Sequence, residues 1–139
     1  MLSSFASGRC DHITSGIYIN AERRKSCSGI SYTQSTKAII TAASHTEVAS
    51  PERLSEKAIA LESGGHYGEE QIAPLNAELG AAGNPEVEVR NYPTPQRATQ
   101  QVIIGGVDAA MSEDTEAAYR IGQVPGKLRV AYVYPSSFP

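Results

Sequence analysis

From Ala38 onward, short apolar runs alternate with stretches in which apolar residues recur at helical spacing. The runs Lys37 to Ala42, Lys57 to Glu62, Val87 to Tyr92, Val107 to Met111 and Leu128 to Tyr134 have strand length. Several are rich in Ala, Val and Ile with little polar alternation, the pattern of strands covered on both faces. Helix signals fall between them. Ser50-Pro51-Glu52 sets a capping hydroxyl, a first-turn proline and an acid suited to the helix dipole in order, and predicts a helix from that point. Thr94-Pro95 repeats the signal; its helix is predicted to stop at Gly105-Gly106 and to bury Ala98 and Val102. Over Tyr67 to Leu79, Ile72, Leu75 and Leu79 share a face, and Pro74 predicts a kink or a late start. Such alternation with short connections predicts an α/β fold, a doubly wound, mostly parallel sheet of about five strands.

The chain before Ala38 differs. Leu2 to Gly8 reads as a short helix, Asp11 to Gly16 as a strand, and Ile17 to Ser35 as an irregular connection without a sustained period. This divides the chain into residues 1–36 and an α/β domain over 37–139. Ile103 and Ile104 are adjacent at a helix end and cannot both face the core, so one is expected at the surface.

Charge and composition remove several function classes. With 12 Lys plus Arg against 15 Asp plus Glu, the chain has no electrostatic footprint for nucleic acid or an anionic membrane. Its longest apolar runs, such as Ala38 to Thr41, fall far short of the roughly 20 residues that span a bilayer, so it is not read as membrane-embedded. Met1 to Cys10 lacks the basic start and long apolar stretch of a secretory signal. Cys10 and Cys27 can pair in an oxidising compartment, but read more simply as two small buried hydrophobes, because no His stands at zinc-ligand spacing and no redox motif is formed. His12, His45 and His66 are scattered, and neither a Gly-x-Ser-x-Gly elbow nor a phosphate-loop lysine is present. No enzyme, metal or cofactor is expected.

Taken locally, the remaining polar residues read blandly. Arg23 beside Arg24 and Lys25 is a solvated charge, Gly64-Gly65 a strand-to-helix turn, and Glu113 and Asp114 are first-turn acids of the next helix. Two blocks change that picture. GRCDHITSGIYINAERRKSCSGISYTQSTKAIIT, from Gly8 to Thr41, and GGVDAAMSEDTEAAY, from Gly105 to Tyr119, resemble the type II periplasmic solute-binding proteins (extracellular solute-binding family 3, the polar amino-acid binding components of ABC transporters). ALESGGHYGEE and VEVRNYPTPQRATQQV, lying between them, resemble the same family's next strands and helices, so that the likeness covers nearly the whole chain.

The resemblance implies a protein that binds rather than catalyses, with two lobes closing on a polar amino acid. Gly16 and Tyr18 would supply backbone contacts and Arg23 would hold the α-carboxylate, a task for a planar bidentate donor. Across the cleft, Gly64, Gly65 and His66 match the turn whose N–H groups meet that carboxylate. The family's amine-binding aspartate falls on Glu113 without a gap or on Asp114 with one inserted residue, and the Glu-Asp-Thr spelling favours Asp114.

Departures are plain. Gly65 stands where threonine is usual, Glu62 where Gln or Lys is common, and Ser28, Gly29 and Ser31 where Asp, Phe and Pro are usual. The half-lobe that precedes Gly8 in the family, and the return to it after Tyr134, have no counterpart, which implies a form truncated to mainly the second lobe. The implied setting is periplasmic with an ABC permease as partner, although the lack of a signal fits the cytoplasm. The rival reading is a self-associating assembly module without a ligand, a homodimer formed by exchange of the Leu2 to Ser35 arm.

Overall fold

The structure, a computed structural model, describes residues 2–14, 19, 21–65 and 67–138. The chain divides into two compact units, residues 1–35 with 137–139, and residues 36–136. In the first, α1 (Leu2–Ala6) ends in a turn at Gly8, which adopts φ +69° and donates its N–H to the Phe5 carbonyl at 3.0 Å. Residues 11–14 form no strand, and the rest of that expected strand lies outside the described residues. A short extended segment makes a strand only when a neighbour satisfies its backbone. The connection read as irregular contains one helical turn, α2 (Ala21–Arg24), extended by the Cys27 N–H and Sγ donating to the Arg23 carbonyl at 3.0 and 3.3 Å. Cys10 and Cys27 are free thiols and only part-buried, which corrects the expectation of two buried hydrophobes.

The second unit carries the sheet. Its strands are β1 (Ser35–Ala42), β2 (Ala58–Glu62), β3 (Glu88–Tyr92), β4 (Ala109–Glu113) and β5 (Leu128–Phe138), in the order β3-β2-β4-β1-β5. β3, β2 and β4 are parallel, and β1 runs antiparallel to β4. Side-chain alternation sends β1, β2 and β4 into two cores. Ile39, Ile59, Leu61 and Met111 pack with Leu75 and Leu79 on one face; Ala38, Ile40, Ala60 and Ala110 pack with Ala98, Val102 and Ala117 on the other. The small residues on the second face let two helices approach. The layers are those of a doubly wound, mostly parallel α/β sheet, as the alternation predicts.

The helices are α3 (Ala73–Ala81), α4 (Pro95–Ile103) and α5 (Asp114–Gln123). α4 follows its local signals: Thr94 Oγ1 accepts the Arg97 N–H at 3.3 Å, Gly105 takes φ +74°, and Ala98 and Val102 are buried. α3 starts late, with Pro74 in its first turn, and is preceded by a π-helical turn over Gly68–Ile72. The Ser50 signal yields only one 3-10 turn, Pro51–Leu54, in which Ser50 makes no side-chain cap and buried Leu54 ends the turn just before β2. β4 lies two residues later than its apolar run, because Asp108 is used as a cap: its Oδ2 accepts the Ala58 N–H at 2.8 Å.

Candidate functional site

Parallel β2 and β4 lie side by side with Ile59 opposite Ala109, so both end at the same edge of the sheet. β1 begins there, since Lys37 faces Glu113 in the antiparallel ladder. In open α/β sheets, ligands are held outside the carboxyl ends of such strands. The turn after β2 is tight. Gly64 adopts φ +76°, which a β-carbon would strain, and the Gly65 N–H donates to the Glu62 carbonyl at 3.1 Å. A β-carbon on Gly65 would meet that same carbonyl at 3.2 Å. The glycine pair therefore builds the turn, and Gly65 spends its N–H within it.

Glu113 and Asp114, the two candidates for an amine, differ in what they already hold. Asp114 Oδ1 accepts the Thr115 N–H at 2.8 Å and the Thr36 N–H at 3.2 Å, tying the start of α5 to β1. Glu113, extended at the end of β4 and part-buried, makes no side-chain hydrogen bond or ion pair with the described residues.

A residue that the sequence reading gave only a strand position completes the edge. Lys37 shares the face of Ile39 by strand alternation, its side chain only 1% exposed. Its Nζ donates to Glu70 Oε2 at 2.6 Å and stands 5.9 Å from the centre of the Tyr67 ring. Glu70 rides on the π turn with 45% of its side chain exposed. Glu113 belongs to the same sheet face as Lys37, with facing Cβ atoms about 5 Å apart in such pairs. The only sequence signal for this ammonium was a lysine inside the run STKAIITA.

Of the other expected residues, Gly16, Tyr18 and His66 lie outside the described residues. Arg23 is on α2 in the first unit, half-buried, and lines a cavity of about 890 Å³ together with Phe5, Ile13, Ile19, Cys27 and Ile30 of that unit. Among the described residues, no group of three His, Cys, Asp or Glu is placed to hold a metal ion. None of their helices is long and apolar enough to cross a membrane.

No family model and no curated protein matches the sequence. Solved structures do match its fold. An ancestral arginine-binding protein bound to arginine superimposes with a TM-score of 0.82 at 22% identity, over 99% of this chain and 59% of the other. Holo ArgBP from T. maritima gives 0.74 at 19% identity, over 99% and 57%. The periplasmic VFT2 domain of Bordetella pertussis BvgS gives 0.68 at 20% identity, over 88% and 49%. The chain thus spans about half to three fifths of the length of these neighbours and shares the fold of one lobe of a periplasmic binding protein.

Proposed function

We propose that this chain acts by binding an amino acid, as part of a solute-binding protein, without chemistry on its ligand. The observation that carries the reading is Glu113, a part-buried carboxylate without a partner among the described residues, at the shared end of β2 and β4 beside the Gly64-Gly65 turn. Such a group suits an ammonium, and a charge-assisted bond there is worth about 1.5–3 kcal/mol. Glu113 is better placed for this than Asp114, whose carboxylate already serves two backbone N–H groups. Solved proteins of this fold include arginine-bound ones, which supports an amino acid as the ligand class. A periplasmic setting and a permease partner belong to the same reading.

Calorimetric titration with Arg, Lys, Gln, Glu and His tests it. At least one should bind, and Glu113→Gln should weaken that ligand about tenfold or more. Silence towards all five removes the reading, and unchanged affinity in Glu113→Gln removes the residue assignment.

A second reading, self-association, is favoured by Ile104, which is 62% exposed just beyond α4. Single exposed apolar residues are common, so it ranks below ligand binding.

A further inference from the structure

The ion pair ties β1 to the π turn, and a buried ammonium is costly unless a counter-charge stays with it. Lys37 is sealed, while Glu70 is close to half exposed. The two partners are therefore unequal: the lysine is fixed by its strand, whereas the glutamate already faces water over 45% of its side chain. Whatever replaces Glu70 on the Lys37 Nζ must bring a carboxylate of its own. Glu113, directly across the ladder from Lys37 on the same face, offers the opposite charge. The edge thus presents an ammonium and a carboxylate side by side, the complement of a molecule carrying both.

We infer that Glu70 is an internal stand-in for a ligand carboxylate, and that the site takes an amino acid with an acidic side chain. The ligand's ammonium pairs with Glu113, and its side-chain carboxylate displaces Glu70 from Lys37. Bringing a cationic side chain to the same place sets like charges together, so arginine is disfavoured although fold neighbours hold it. The Tyr67 ring, its centre 5.9 Å from Nζ, stays beside the ammonium when the carboxylates exchange. This inference rests on the amino-acid reading above and names the ligand class for the same site.

Titration of the wild type, Glu70→Gln and Lys37→Met with L-glutamate, L-glutamine and L-arginine tests it. L-Glutamate should bind the wild type about tenfold more tightly than L-glutamine, and L-arginine should bind weakest. Glu70→Gln removes the competitor and should tighten L-glutamate by about tenfold, with little change for L-glutamine. Lys37→Met should abolish the preference for glutamate; a thermal melt verifies that it is folded, and Glu70→Gln, at a half-exposed position, decides the matter without it. If any of the three ligands binds but Glu70→Gln leaves L-glutamate unchanged or weaker, the inference falls and the amino-acid reading stands. If none of the three binds to the wild type or to Glu70→Gln, the inference falls, and Lys and His in the five-ligand titration then decide the amino-acid reading.

Discussion

Asp108 belongs to the Gly-Val-Asp-Ala run that marks the family resemblance, yet its work in the fold is structural. Its Oδ2 accepts the Ala58 N–H at 2.8 Å and its own N–H donates to the Ala58 carbonyl at 2.9 Å, splicing the start of β2 to the approach to β4. Removing the carboxylate leaves a part-buried donor without its acceptor. Asp108→Ala should therefore destabilise the protein by about 1–3 kcal/mol in urea denaturation with no change in the slope of the transition. Lys37 is the reverse case. Nothing in the run STKAIITA distinguishes a surface lysine from a sealed one, because burial depends on what packs over that face, and here the π turn does so. Gly64 lies between the two: a turn glycine was legible, and its φ of +76° accounts for it without a ligand.

At the scale of elements, local signals succeeded where every level agreed and failed where packing competed. Thr94, Pro95 and Gly105 agree with the buried face of α4, and the helix follows them. Ser50-Pro51-Glu52 is as good a start, but buried Leu54 and the onset of β2 stop the chain after one turn. β5 shows how an element sets its own chemistry. Tyr132 and Tyr134 meet edge to face with ring centroids 5.1 Å apart, and both pack on the first core. Burial, aided by the neighbouring Tyr132 and Glu52, pushes the Tyr134 phenol from 10.0 up to about 12. A phenol whose folded pKa exceeds its unfolded value stabilises the fold fully below pH 10 and loses that contribution as pH rises through about 12. Tyrosinate absorbance during an alkaline titration should show a component near pH 12, and Tyr134→Phe should delete it.

For the molecule as a whole, the exposed apolar residues Ile104 and, in the first unit, Ile30 and Tyr32 bear on assembly. If self-association is real, sedimentation velocity over a concentration series should show a monomer–dimer equilibrium that Ile104→Glu shifts towards monomer; a monomer at every concentration removes that reading. The pattern along the chain carried the α/β class, the five sheet strands to within two residues save the far end of β5, which runs on to Phe138, and the core residues of α3 and α4, because hydrophobic period and capping act over a few neighbouring residues. Tertiary structure alone decided the order β3-β2-β4-β1-β5 and the two-residue shift of β4. It also decided which of two adjacent acids was already committed and that Lys37 lies beneath the edge with Glu70 as its counter-ion. These outcomes depend on residues far apart in the chain, such as Asp108 with Ala58, Thr36 with Asp114 and Lys37 with Glu70. The free energy of each such contact exists only once the partner strands have met, so no pattern along the chain encodes it.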